Sequence, residues 1–303
     1  MKIPKTFLNL DANESIFFAR ELEQILARQY EIEYPELRGR MFVPVSNEAG
    51  PGAESITYYQ FDKVGMAKLI SDYADDLPKA DAFGQKFTSP VESLGIAFSY
   101  SLQEIRASAM ANRSLTTMKA NAARRAHEER VDAISALGDA NTGLLGFLNH
   151  PNVPAGSAVT GTWSTATADQ ILGDMNEIVQ EVIDSTNNVE FPDTLLVPPA
   201  QFAILNQTRI PDTNISVLRW FLQNNPWVRN IDHWYKLKGA GAGATDRMVA
   251  YRRSPDKLEL HIPQEFESLP VQERGLTFEV NTHSRIGGVI MYKPLSVLYR
   301  DGI

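Results

Sequence analysis

The segment between residues 55 and 98 most constrains how this chain can fold, because it predicts a long two-stranded hairpin. β-rich pieces at Ile56–Phe61 and Phe87–Val91 flank a polar centre, 72–84. Strand-forming residues on both sides of a turn-rich, charged centre are typical of paired strands with a solvated tip. An isolated hairpin is only marginally stable in water, so one of this length predicts support from another chain.

The residues before this hairpin predict a helix and an extended arm. Ser15–Glu33 alternates apolar and acidic residues at helical spacing, and Pro35 ends the pattern. Met41–Ala53 is rich in proline and glycine and has no sustained period, which favours an arm that leaves the body of the domain. Such an arm needs a partner on which to pack.

The clearest helix covers Leu115–Leu137, with Ser114 as N-cap and Gly138 at the C′ position. Its charged residues, and His127 with them, are expected on the wet side. Val131 lies beside the predicted buried stripe, which consists of Leu115, Met118, Ala122, Ala126, Ile134 and Leu137.

The second half of the chain predicts an α/β lobe followed by strands. Thr167 and Gln170 form a capping box at the start of a helix that runs to Asp184. A buried strand at Thr194–Val197 and helices at 199–205 and 214–224, the last capped by Asn214, complete the lobe. Further strands are predicted at Ile231–Leu237, Arg247–Arg252, Leu258–Ile262, Leu276–Asn281, Gly288–Tyr292 and Leu295–Tyr299.

Composition excludes several classes of protein. The 303 residues are 43% hydrophobic, enough for a substantial core, and contain no cysteine for disulfides or thiolate chemistry. No window approaches the roughly 20 apolar residues of a membrane helix, and the first residues lack a signal-peptide pattern. A net charge of −8 disfavours tight nonspecific DNA binding.

No catalytic constellation is readable, so neither enzyme activity nor a cofactor or metal is predicted. The five histidines lack metal-ligand spacing, and no G-x-S-x-G elbow occurs. Adjacent acids such as Asp75-Asp76 and Glu128-Glu129 point apart. The Gly239–Gly243 run precedes Asp246 and a strand, unlike a phosphate loop, which favours a mobile loop without contacts.

The order of these pieces resembles the tailed-phage major capsid proteins and their α+β HK-ninety-seven-like fold, which encapsulins share. The resemblance covers nearly the whole chain and is most specific in six strings. These are 56–65 (ITYYQFDKVG), 72–78 (DYADDLP), 119–127 (KANAARRAH), 143–151 (GLLGFLNHP), 285–294 (RIGGVIMYKP) and 299–303 (YRDGI).

The resemblance implies a subunit that self-assembles into pentamers and hexamers of an icosahedral shell around double-stranded DNA. It implies an N-terminal arm at 1–54 and an E-loop, a hairpin that lies over a neighbouring subunit, at 55–98. The peripheral domain would comprise 99–158 and 264–303, with a spine helix at about 115–137. The axial domain would cover 159–263, and its loop at about 238–246 would lie near the capsomer axis.

The implied partners are other copies of the chain, a separate scaffolding protein, a portal, and a decoration protein as a further candidate. DNA would be packaged without sequence-specific binding, no membrane is involved, and the protein would be made in the bacterial cytoplasm and end in the virion. Lys79 and Lys86 are eligible for an isopeptide bond, although no acceptor motif matches. The candidate assembly residues are Asp75, Asp76, Lys79, Lys86, Arg124, Arg125, Glu128, Glu129, Gly239, Gly241 and Gly243.

Two alternatives remain open. An encapsulin-type shell with the same fold would enclose a cargo enzyme where a phage head holds DNA. An α/β enzyme would use the lobe at 167–262, although no motif supports it. Arg124-Arg125 and Arg252-Arg253 lack interleaved aromatic residues, so contacts between subunits are a better interpretation of them than nucleic-acid binding.

Overall fold

A computed structural model of the chain describes residues 35–64, 81–110 and 115–303. Its contacts divide the chain into two units, and the helices and strands described all belong to the second, Leu37–Ile303. The predicted helix Ser15–Glu33, the cap Ser114, and the hairpin tip with Asp75, Asp76 and Lys79 lie outside the described residues.

The described elements comprise six helices and fourteen strands. The helices are α1 (Gly39–Phe42), α2 (Leu102–Met110), α3 (Leu115–Leu137), α4 (Ala168–Ser185), α5 (Pro199–Gln207) and α6 (Val217–Asn224). The strands are β1 (Val45–Ser46), β2 (Ser55–Val64), β3 (Asp81–Pro90), β4 (Glu92–Ser101), β5 (Ala155–Ser157), β6 (Thr194–Val197), β7 (Asn230–His233), β8 (Arg247–Tyr251), β9 (Leu258–His261), β10 (Gln264–Ser268), β11 (Gln272–Arg274), β12 (Thr277–Ile286), β13 (Gly288–Met291) and β14 (Val297–Asp301).

The predicted hairpin is confirmed. β2 and β3 pair antiparallel without a register shift, from Ser55 opposite Pro90 to Val64 opposite Asp81. Residues 92–98, which the sequence assigned to the hairpin, belong instead to β4, which pairs along its whole length with β12. The hairpin therefore ends at Pro90, where the buried Val91 begins the attachment to a second sheet.

A five-stranded sheet, ordered β5-β14-β8-β6-β7, forms the centre of the α/β lobe. β14 lies inside this sheet, so residues 297–301, which the sequence groups with the peripheral strands, pair with β5 and β8. All five residues of β14 are buried, and two flanking strands satisfy its backbone groups.

Side chains alternate across this sheet into two apolar cores. Tyr251 and Tyr299 point into the core shared with α3, β9 and β13, while Met248 and Leu298 point into the core covered by α4. The capping box that starts α4 is confirmed. Ser216, and not Asn214, caps α6, because its hydroxyl accepts a hydrogen bond from the Arg219 amide.

The predicted buried stripe of α3 is confirmed at Ile134, with Val131 beside it, but it is wrong at four other positions. Met118 is 50% and Leu137 46% exposed, and Ala122 and Ala126 are also on the surface. Among the described side chains of α3, the buried ones are Ala123, His127, Val131, Asp132, Ile134, Ser135 and Ala136. His127, predicted to be wet, is buried because its ring packs on Phe266 and hydrogen-bonds Ser284. Polar residues with partners can thus displace alanines from a buried face.

The predicted arm does not leave the domain at Met41. Phe42 and Val43 are buried in the core, and β1 pairs parallel with β9. The segment 47–54 that follows is largely exposed. In the first part of the predicted arm, the burial of apolar side chains determines where the segment lies, in spite of the proline and glycine pattern.

Three strand predictions near the C-terminus need correction. β7 ends at His233 and a 3₁₀ turn at Tyr235–Leu237 replaces the rest of that predicted strand. A second 3₁₀ turn, Pro294–Ser296, precedes β14. β12 is longer than predicted, and the sequence missed the short strands β10 and β11.

Replacement of glycine by alanine should have opposite effects on stability at two positions in or beside helices. Gly138 has φ +69°, and an added Cβ would lie 2.2 Å from the Leu144 carbonyl oxygen, so Gly138→Ala should cost about 2 kcal/mol or more. An added Cβ at Gly173, within α4, meets nothing within 4 Å, so Gly173→Ala should stabilise the subunit by about 1 kcal/mol. Chemical denaturation of both variants tests this, and equal shifts would contradict it.

Candidate assembly surfaces

One face of the hairpin is fixed to its own subunit at the root, which we define as Ser55–Tyr58 and Phe87–Pro90. The Tyr58 ring stacks on Phe87 at 5.2 Å and meets Tyr292 edge-on at 5.1 Å. The Ser89 hydroxyl donates to the Gly287 carbonyl at 3.2 Å. These contacts hold the base of the hairpin in a defined position.

The opposite face carries an aromatic patch, Tyr59 and Phe61, that the described residues of the subunit leave exposed. The two side chains are 62% and 68% exposed, and their rings lie 6.4 Å apart and nearly parallel. Phe61 lies over Gly84, where an added Cβ would come within 2.8 Å of its ring. Lys86, opposite Tyr59, is exposed on the same face. Large apolar side chains displayed together in this way are typical of interaction surfaces.

The charged candidates on α3 form pairs within the subunit. Arg125 Nε lies 3.0 Å from Glu129 Oε1, one helical turn away. Glu128 pairs with Arg40 at 3.2 Å. The adjacent His127, whose Nδ1 lies 3.9 Å from Glu128 Oε1, together with the charge of Arg40, holds the pKa of Glu128 below its ordinary value against the effect of burial. Arg124 is exposed. These ion pairs fix the positions of charged side chains on the surface of α3. That the same residues also form contacts between copies stays a prediction.

The glycine-rich loop is not the contact-free loop that the sequence predicted. Gly239 donates its amide hydrogen to Asp246 at 3.0 Å, and Ala242 donates to Asp301 at 2.9 Å. An added Cβ at Gly241 would lie 2.8 Å from Asp301. Gly243 has φ +66° within a 3₁₀ turn. The glycines therefore permit close approach and tight turning.

A buried ion pair that sequence reasoning missed lies behind this loop. Arg247 Nε and Nη2 bind the two carboxylate oxygens of Asp301 at 2.6 and 2.8 Å. Arg247 also donates to the Leu148 carbonyl and lies over the Tyr299 ring. Burial favours the neutral form of Asp301, but the hydrogen bonds from Arg247 and Ala242 outweigh it and lower the pKa of Asp301.

Two buried histidines predict that the subunit loses stability in mild acid. Burial lowers the pKa of both His150 and His261 from the ordinary value of 6.5. The unfolded chain therefore binds protons first, and stability that is constant above pH 6.5 should fall as the pH drops below it. The free energy of unfolding should therefore be lower at pH 5.5 than at pH 7.5.

Unfolding by urea at several pH values measures this dependence. In His261→Gln the free energy of unfolding should depend less steeply on pH between 7.5 and 5.5 than in the wild-type chain. Nearby carboxylates such as Glu259 are present in both chains, so the difference between the two slopes reports the histidine. An unaltered slope in this variant would contradict the assignment.

Within residues 35–64, 81–110 and 115–303, no group of three His, Cys, Asp or Glu side chains could hold a metal, and no helix is long and apolar enough to cross a membrane. A groove of about 660 Å³ lies along α4 beside Trp227. Two of its carboxylates, Glu177 and Glu181, bind Arg300 at 3.4 and 2.6 Å.

Comparison with protein families gives a match to residues 65–303, to a family described as major capsid protein. Among curated protein sequences, none matches the chain.

Solved structures show where else this fold occurs. A chain of the capsid of Myoviridae phage XM1 superposes with a TM-score of 0.85 at 21% identity, covering 96% of this chain and 100% of that one. A chain from Mycobacterium phage Ogopogo has a TM-score of 0.64 at 12% identity, with coverages of 93% and 97%. A virus-like particle from Pyrococcus furiosus has a TM-score of 0.53 at 14% identity, with coverages of 86% and 91%. At these identities the likeness establishes the fold.

Proposed function

The chain belongs to the major capsid protein family, and from this premise we propose that it assembles into pentamers and hexamers of an icosahedral phage head that encloses double-stranded DNA. The observation that carries the proposal is the hairpin, whose root is fixed to its own subunit while its aromatic patch stays exposed among residues 35–64, 81–110 and 115–303. Rigid presentation of apolar rings suits a surface that is completed by another copy.

In this proposal the hairpin is the E-loop and lies over a neighbouring subunit. The loop at 238–246 lies near the capsomer axis, and its hydrogen bonds to Asp246 and Asp301 would keep its shape constant in every copy. A separate scaffolding protein, a portal and a decoration protein are proposed as partners. The acidic net charge of −8 supports a wall that encloses DNA without binding it tightly. The proposal includes no catalytic step.

A shell that encloses protein cargo is the second candidate, because the resemblance in sequence extends to encapsulins; a virus-like particle from Pyrococcus furiosus also shares the fold. The higher TM-score and coverage of the phage XM1 capsid favour the phage head. The two candidates differ in the contents of the particle and not in the assembly of its wall.

The test is to produce the full chain with and without a scaffolding protein and to examine the product by negative-stain electron microscopy. Closed particles or ring-shaped capsomers are expected. A monodisperse monomer at high concentration, in the presence of scaffold, would refute the proposal. The contents of particles purified from infected cells, nuclease-protected DNA or protein cargo, separate the two candidates.

A further inference from the structure

Residues 38–46 form a strap that is bonded to several distant parts of the subunit. Arg38 Nη1 binds Asp232 at 2.9 Å, and Arg40 forms two hydrogen bonds with Glu265 at 2.8 and 3.0 Å. The carbonyl groups of the strap are also used. They accept hydrogen bonds from Arg253 (to Met41), Tyr251 (to Phe42), Leu260 (to Pro44) and Ile262 (to Ser46).

The strap fits against α3 too closely to allow a side chain at Gly39. An added Cβ there would lie 2.0 Å from Ser135 Oγ and 3.0 Å from Asp132 Oδ1. The Gly39 amide donates to that buried carboxylate at 2.7 Å. Gly39 and Asp132 therefore fix the position at which the strap enters the body.

The strap leads directly to the root of the hairpin. Only residues 47–54 separate β1 from β2. Ser46 pairs with His261, and the His261 carbonyl accepts a hydrogen bond from Gly287 at 2.8 Å. An added Cβ at Gly287 would lie 2.9 Å from Ile56 in β2. The end of the strap is thus connected to the first strand of the hairpin through His261 and Gly287.

A second set of contacts joins the same elements. His261 Nε2 lies 3.0 Å from the Tyr292 hydroxyl, which donates to Glu259 at 3.0 Å. The Tyr292 ring packs edge-on against Tyr58 of the root. The strand that receives the strap therefore also positions the aromatic ring on which the hairpin rests.

We propose that the strap is a conformational latch: its docking against α3 and β9 holds the hairpin root in the orientation in which the aromatic patch is presented to another copy. The link to assembly rests on the function proposed above, whereas the link between strap and root is a property of the single subunit. Both sets of contacts pass through His261, so displacement of the strap should loosen the root even though the strands of the hairpin remain paired.

Hydrogen exchange of the full-length subunit carrying Gly39→Ala tests the latch. The methyl group should displace the strap, and amides of the strap and of the hairpin root should both exchange about tenfold faster or more. The double variant G39A/S135G removes the hydroxyl that the methyl group would strike, and it should restore slow exchange at both places. Faster exchange confined to the strap, with the root unchanged, would overturn the proposal.

Two further variants guard against a general loss of stability. Tyr251→Phe removes only the hydrogen bond to the Phe42 carbonyl, so it supplies a milder displacement with the same two readouts if G39A does not fold. Thr167→Ala removes the cap of α4 and should leave the root unchanged. Because exchange is measured on the unassembled subunit, a failure of the wild-type chain to form particles would refute the proposed function and not the latch.

Discussion

Replacing Asp301 with asparagine is expected to lower the free energy of unfolding by about 3–5 kcal/mol, the usual effect of leaving one member of a buried ion pair alone. Arg247 and Asp301 are each 9% exposed at the side chain, so water cannot compensate the guanidinium that remains. The Ala242 amide in the glycine-rich loop would also lose its charged acceptor. Denaturation by guanidinium chloride at pH 7 measures the loss.

Two comparisons distinguish the effect of the buried ion pair on stability from the effect of removing any charged side chain. Glu265→Gln removes a carboxylate from the pair with Arg40, whose side chains are 31% and 49% exposed, and it should cost no more than about 1 kcal/mol. R247M/D301L removes both charges and should be less destabilising than D301N alone. If D301N and E265Q had equal effects, the buried pair would not be a principal source of stability in the lobe.

Local periodicity was sufficient to predict the hairpin and α4. In α4 the capping residues and the apolar positions coincide, and in the hairpin each strand carries its own β-forming residues. α3 has a weaker pattern because its buried face includes His127 and Asp132. Each is buried with a hydrogen-bond partner more than 90 residues away in sequence, Ser284 for His127 and the Gly39 amide for Asp132. A prediction from local pattern has no means of finding those partners.

The same limit applies to the surfaces proposed for assembly. The sequence identifies Tyr59 and Phe61 as β-forming residues, but only the packing of Tyr58 on Tyr292 shows which face is fixed to the subunit at the root. The docking of the strap depends on the pairing of β1 with β9, across more than 200 residues. The proline and glycine residues of 41–53 are typical of a free arm, but the buried side chains of Phe42 and Val43 hold the strap in the core.

The double variant Tyr59→Ser/Phe61→Ser should abolish or strongly impair assembly while the subunit stays folded. Each ring buried against another copy would contribute about 1.5–3 kcal/mol, and about 1.4 kcal/mol is a tenfold change in an association constant. The concentration needed for assembly should therefore rise at least about tenfold. Light scattering during assembly and negative-stain microscopy measure it.

The subunit itself should lose less than about 1 kcal/mol, because both rings are mostly in water before assembly. Gln60→Ser/Gln85→Ser is the matched control: these two residues oppose each other on the other face of the same hairpin, and their replacement should leave assembly nearly unchanged. Equal impairment by both variants would mean that the hairpin acts through its own strand pairing. Normal assembly of the Tyr59/Phe61 variant would place the principal contact between copies elsewhere, since the energy of two buried rings cannot be lost from a growing shell without changing its threshold concentration.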